Sequence, residues 1–378
     1  MESCPLALEV VDLILDQLDF PALKSCSFVC RNWLPSCRSH LFRHLQLRPA
    51  GRASPESWNQ FLSRSPHILS YIQELGVLCD RSSWVSWDPV LPTLLGKLQH
   101  LQQIDLNGCD LPWLPARLSS AIYVLFGSPS MKRVNLRLCV LPSSCFGLFG
   151  PALQNLALSD VAVEPDVTVP VERVEKSWSA RPKRLMIEGK AVSAVVDWLI
   201  PSSERNELED LQDLSLKYRG DDADTLHAVE RLLQHASNLN TLDISLYPTG
   251  HRSRQELCAA PSICYNQQLR ELRLSYFDMD IGSPTNQLPW LGSLLSQMTT
   301  QHIVQKITID ARYRLCPLSP ILDHDAWANV DDILARTAPP HLQDVHIRVG
   351  DAYSGASLDQ ISASMPLLRA KGILRVSM

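Results

Sequence analysis

Residues 269–274 read Leu-Arg-Glu-Leu-Arg-Leu: an apolar residue, two variable ones, an apolar, one variable, an apolar. In an extended chain successive side chains alternate, so Leu272 and Leu274 share one face while Glu271 and Arg273 share the other. The pattern recurs along almost the whole chain. Its first positions are Phe42, Ile72, Leu101, Met131, Leu153, Pro182, Leu211, Leu239, Leu269, Val304 and Leu342. The copy at Pro182 is the weakest, keeping only Leu185 and Ile187. Most intervals fall at 28–30 residues, with one short interval of 22 and two long ones of 35 and 38.

That interval is long enough for one strand and one returning segment, and such a unit cannot bury its apolar face alone. Several returns carry apolar residues at helical spacing: 56–63, 191–200, 225–237, 289–298 and 327–335. Residues 161–182 alternate and are rich in Val and Pro, which predicts an extended run. Residues 247–268 are polar with Pro248, Gly250 and Pro261, a long excursion or loop. Residues 49–55 form a short turn, so no flexible linker precedes the array, and 372–378 read as a closing strand. The period and the motif resemble leucine-rich repeats, although these copies lack the asparagine that commonly follows the motif. The expected fold is α/β: an irregular leucine-rich-repeat solenoid with a curved parallel sheet on its concave side and helices and loops on its convex side.

The chain opens differently. In 5–19, Pro-Leu-Ala-Leu-Glu-Val-Val-Asp-Leu-Ile-Leu-Asp-Gln-Leu-Asp, the acids Glu9, Asp12, Asp16 and Asp19 mark one helical face. Leu8, Val11, Leu15 and Leu18 form a stripe beside them, widened by Val10 and Ile14. That is more apolar circumference than a surface helix needs. Asp19 suits the cap of a second helix with Pro21 in its first turn. Leu23, Cys26, Val29, Cys30 and Trp33 supply the next apolar face, and Pro35 opens a third helix reaching Phe42. Three short helices in about 40 residues bury too little to stand alone, so they must lean on a partner or on the rest of the chain.

This segment, above all Cys-Ser-Phe-Val-Cys-Arg-Asn-Trp-Leu-Pro at 26–35, resembles the F-box family, of the type abundant in mushroom-forming fungi. One extra residue in the opening turn departs from the family pattern. The resemblance implies a three-helix F-box over residues 4–44, packed directly on a leucine-rich-repeat-like array over 45–378. It implies docking to a Skp-type adaptor and through it to a cullin. Pro5, Leu8, Glu9, Val10, Ile14, Leu18, Leu23, Cys26, Val29 and Trp33 would then supply the adaptor-facing surface and its supporting core. The alternative is that they are only the core of a helical cap on the array.

The variable positions flanking the strand leucines would line the concave face and bind a protein target of unknown identity. The residues proposed for that contact are Asp105, Arg133, Arg137, Lys217, Asp243, Arg273, Asp310 and Arg348. Acids and bases across the face are balanced, so it is no groove for a polyanion. A net charge of −5 likewise gives no reason to expect nucleic acid or an anionic membrane. The plainer alternative is that these are ordinary solvated strand positions.

No apolar run approaches a membrane span, and Glu9, Asp12 and Asp16 interrupt any secretory core. Eleven cysteines without a C-x-x-C pair predict reduced thiols and a cytoplasmic or nuclear protein. Asp323, His324 and Asp325 read as a solvated turn, and His341 and His346 as flanking a strand. With no phosphate-binding glycine loop and no nucleophile elbow, neither a cofactor nor catalysis is expected. The function expected is therefore the non-catalytic substrate-recognition subunit of a Skp–cullin–F-box ubiquitin ligase. A scaffold that uses the F-box outside a ligase is the alternative, and an enzyme with a site in 247–268 the third reading.

Overall fold

The structure, a computed structural model, describes residues 7–29, 31–79, 84–165, 180–189, 191–200, 208–219, 222–247, 260–278, 288–312, 324–337, 339–349 and 355–377. Two compact units divide the chain, Met1–Ala180 and Arg181–Met378.

The first unit begins with helices α1 (Leu8–Leu15), α2 (Phe20–Cys26) and α3 (Leu34–Phe42), then strand β1 (His44–Leu47). There follow α4 (Pro55–Arg64), β2 (Glu74–Leu78), α5 (Trp84–Trp87), α6 (Leu91–Lys97), β3 (Gln103–Asn107), α7 (Ala116–Phe126) and β4 (Arg133–Arg137). Short strands β5 (Val140–Pro142) and β7 (Ala162–Glu164) bracket β6 (Asn155–Ser159). Strands β1, β2, β3, β4 and β6 form one parallel sheet in that order, and β5 pairs with β7 in a small second one. The second unit holds β8 (Arg184–Glu188), α8 (Val192–Leu199), β9 (Asp213–Arg219), α9 (Ala223–His235), β10 (Thr241–Tyr247) and β11 (Glu271–Asp278). It ends with α10 (Leu288–Leu295), β12 (Lys306–Arg312), α11 (His324–Thr337), β13 (Asp344–Val349), α12 (Gly355–Ser364), α13 (Pro366–Ala370) and β14 (Leu374–Ser377). Strands β8 to β14 are all parallel, each paired with the next.

All eleven copies of the motif are strands, including the one that begins at Pro182. Burial alternates as the pleat demands: in β9, Leu214, Leu216 and Tyr218 are buried while Asp213, Ser215 and Lys217 are half-exposed. Parallel strands need a crossover between them, and the amphipathic returns supply it. In α9, Ala228, Val229, Leu232 and Leu233 are buried, and Asp222 caps the helix by accepting from Thr225 N.

The strand starts repeat one hydrogen-bond device. The Gln102 carbonyl accepts from both Lys132 N and Arg133 N, the Lys132 carbonyl from Gln154 N and Asn155 N, and the Gln212 carbonyl from Asn240 N and Thr241 N. The strand ends repeat another. Gly108, Leu138, Asp160 and Gly189 each follow a strand with positive φ of 76°, 52°, 51° and 94°. Gly108 N, Leu138 N and Gly189 N donate to the last or near-last carbonyl of the next strand, Arg137, Ser159 and Lys217. A Cβ on Gly108 would also run into the Cys79 carbonyl, so glycine is required there twice over.

Three expectations need correction. Cys79 and Cys109, 30 positions apart in sequence, form a disulfide with their Cα atoms 5.7 Å apart. One interval of the motif carries the first cysteine onto the neighbouring strand end, so the pair meets in space although no local spacing announces it. Cys26, Cys37, Cys139, Cys145 and Cys264 are free, as expected. His324 and Asp325 open α11 and are not in a turn. His346 lies inside β13, where its Nε2 meets Ser377 Oγ at 2.8 Å, so the two histidines do not flank the strand. Of the predicted extended run 161–182, Ala162–Glu164 is strand, and 166–179 lie outside the described residues, as do 248–259 of the predicted excursion.

Without reductant, an alkylating probe on the native protein should label exposed Cys264 and leave Cys79 and Cys109 unmodified. Mass mapping of both after reduction and denaturation checks this; direct labelling of Cys79 would contradict the bridge.

Candidate functional site

The three N-terminal helices close a small core of Val11, Leu15, Leu23 and Cys37, against which Leu18, Cys26, Trp33 and Leu41 pack. Asp19 caps α2 through Ala22 N at 2.9 Å, with Phe20 and Pro21 opening the helix. Outside that core stand Val10, Leu13, Ile14, Phe20, Phe28 and Val29, from 40% to 80% exposed. Six large apolar side chains exposed within twenty residues are far more than scattered surface hydrophobics, and such clusters mark interaction surfaces. On α1, Val10, Leu13 and Ile14 recur at helical spacing on the side away from Val11 and Leu15.

The residues expected for docking therefore separate. Val10, Ile14 and Val29 lie on the exposed face, with Glu9 beside them, also exposed. Leu18, Leu23, Cys26 and Trp33 serve the core. Pro5 lies outside the described residues, and Leu8 opens α1 with its side chain undescribed. Leu13, Phe20 and Phe28 complete the face and were absent from the sequence-based set. The two-sided apolar pattern of α1 was the available signal for Leu13.

Helix α3 runs into β1 with only Arg43 between them. The Arg43 carbonyl accepts from Gln73 N and Glu74 N at 2.9 Å, and its guanidinium meets Glu74 at 2.8 Å. The helical module is thus continuous with the first sheet.

The second candidate is the open face of the strands. Within residues 181–378 its charges are largely paired with one another. Arg184 meets Asp213 at 2.9 Å, and Lys217 meets Glu188. Glu271 lies between Arg273 at 3.0 Å and Lys306 at 2.9 Å. The hydrogen bond from Arg273, with that from Lys306, holds its carboxyl below the usual range against the opposing effect of burial. Asp310 and Arg348 form a looser pair at 3.9 Å. Ser275 Oγ lies 3.1 Å from Asp243 and 3.4 Å from Asp310, and burial pushes the Asp243 carboxyl up. Arg375 closes the row on Asp344.

Within residues 7–180 the face differs. Asp105 accepts from the Gln103 and Asn135 amides, while Arg133 and Arg137 are exposed at the two ends of β4. Among the described residues neither arginine has a carboxylate partner.

A shallow depression of about 380 Å³ opens at the starts of β10, β11 and β12, lined by Asn240, Thr241, Arg270, Glu271, Gln305 and Lys306. It contains no serine, cysteine or histidine. Among the described residues no group of three or more His, Cys, Asp or Glu is placed to hold a metal ion, and no helix is long and apolar enough to cross a membrane.

Comparison with protein families picks out the helical module. Residues 5–45 match the family model described as the F-box domain, a span that takes in all three helices and the start of β1. F-box domains bind Skp-type adaptors of ubiquitin ligases. No curated protein matches the chain significantly.

Proposed function

We propose that this chain is the substrate-recognition subunit of a Skp–cullin–F-box ubiquitin ligase, working in the cytoplasm or nucleus. The observation that carries the reading is the apolar face of Leu13, Ile14, Phe20, Phe28 and their neighbours, exposed on the segment that matches the F-box domain. A module this small leaves that much apolar surface in water only when a partner covers it. Residues 45–378 act as an irregular leucine-rich-repeat solenoid that holds the target. The repeated motif, the uniform parallel pairing and the recurrent left-handed residue after the strand support that assignment.

The mechanism is positioning. Docking the adaptor through the helices and the target through the strands raises the local concentration of a target lysine near a charged thioester. Residues of this chain make and break no bonds. Affinity purification of the tagged chain followed by mass spectrometry tests the reading. A Skp-type adaptor accompanied by a cullin is the expected result. Adaptor without cullin would leave only a scaffold, and absence of the adaptor would overturn the assignment.

A further inference from the structure

Arg133 and Arg137 are four residues apart on β4, which places them on the same side of the strand and roughly 13 Å apart. Within residues 181–378 the strand cations Arg184, Lys217, Arg273, Lys306, Arg348 and Arg375 each meet a carboxylate of the chain itself. Arg133 and Arg137 do not, among the described residues. Their cross-strand neighbours are Gln103 and Asn107 on β3 and Asn155 and Ser159 on β6, which offer hydrogen bonds without charge. The row between them runs Gly76, Asp105, Asn135, Ala157. Its one acid is held by two amides; the His44 and Gln46 side chains of β1 lean over Gly76 at one end, and an alanine ends the row at the other. Arg133 Nε donates to the Asn155 side-chain oxygen at 2.9 Å, and neither guanidinium meets a carboxylate among the described residues, so two uncompensated positive charges overlook this strip.

A second observation lies directly beyond. Leu138 follows Arg137 with φ of 52° and a side chain 54% exposed. That backbone region disfavours any residue with a Cβ; at the other strand ends it is taken by Gly108, Gly189 and Asp160, none of them apolar and bulky. A leucine there is strained, and its exposed side chain contributes little to the core. Trp113, 74% exposed, ends the short turn 111–113, which packs against β5 two residues beyond Leu138, where Asp110 bridges to Val140. The turn itself serves the fold, since Leu138 N donates to the Ser159 carbonyl; what the fold does not account for is a large apolar side chain held there in water, and that points to a binding role.

We infer that this strip binds an extended acidic segment of a protein target. Two carboxylates of the segment pair with Arg133 and Arg137, and an apolar side chain beyond them rests on Leu138 and Trp113. The inference names the target chemistry for the receptor reading above and rests on it.

The probe is a fluorescent peptide with two glutamates roughly four residues apart and a leucine beyond, the spacing an extended chain needs to span both arginines. It is made in both sequence orders and titrated against the full chain by anisotropy. Saturable binding that weakens with salt is expected. Replacing both glutamates by glutamine, or Arg133 and Arg137 together by glutamine, should weaken it about tenfold or more. Arg273→Gln should leave it unchanged. Leu138→Gly should weaken binding while Tm stays level or rises, an outcome that a merely structural role would not give. Equal binding of the glutamine peptide, no effect of the double substitution, or no binding in either order would overturn the inference. The double variant should still capture the adaptor. If the unaltered chain fails to capture it, the receptor reading falls separately from the peptide result.

Discussion

Leu13→Asp combined with Phe28→Asp should abolish capture of a Skp-type adaptor while leaving the melting temperature of the chain nearly unchanged. The two side chains are 66% and 80% exposed, so neither contributes much to the fold. Covering a large apolar side chain stabilises by about 1.5–3 kcal/mol. Losing two, and burying two charges in their place, weakens association by about a thousandfold or more. The contrast is Leu15→Ala on the same helix. Leu15 is fully buried in the helical core, and its truncation should cost about 2–4 kcal/mol of stability. Titration of purified adaptor, with circular dichroism on the same samples, separates the two. If the double aspartate variant binds like the parent, the exposed face is not the docking face, whatever the family match.

Asp331→Ala should be the most damaging substitution of a polar side chain in α11, lowering stability by about 2–4 kcal/mol. Asp331 is 1% exposed within α11, and its carboxylate accepts from Leu367 N at 2.8 Å and Leu368 N at 2.9 Å. Those amides open α13, a five-residue helix whose preceding residue Met365 provides no side-chain cap. Alanine would leave one buried and one part-buried donor without an acceptor, and a cavity beside Leu368. Asn keeps one acceptor, so Asp331→Asn should lose roughly half as much. Urea unfolding measures both. A loss below about 0.5 kcal/mol for Asp331→Ala, the range of ordinary surface changes, would show that the helix start finds its partners elsewhere.

What could be read from the sequence is what depends on local alternation. A strand with one buried face announces itself in six residues, which is why even the copy with Pro182 in first position became β8. The returning helices follow for the same reason, their apolar residues recurring at helical spacing. What could not be read depends on distance. Cys79 and Cys109 meet only after one full interval has been folded. The 22-residue interval before β6 is too short for a strand, a helix and two turns. There β5 and a 3₁₀ segment, Ser143–Leu148, replace the helix. Periodicity also could not say which apolar side of α1 faces water, because both sides are apolar. Core and contact residues were therefore named together. Asp331 sits among Val330 and Leu334 on a buried stripe, where an acid reads as solvated until its two amide partners are seen.

The joint at Arg43 sets a limit on how the chain is able to work. One residue between a helix and a strand, with its carbonyl spoken for twice, leaves no slack. In a ligase the adaptor and the first strands would then turn together, like a tool clamped in a fixed jig. A target held there could not be swung toward the transferring enzyme by this subunit. The choice among its lysines would fall to the reach of the target's own loops and tails and to play elsewhere in the assembly. Lysine selection would then follow the target's shape more than its affinity.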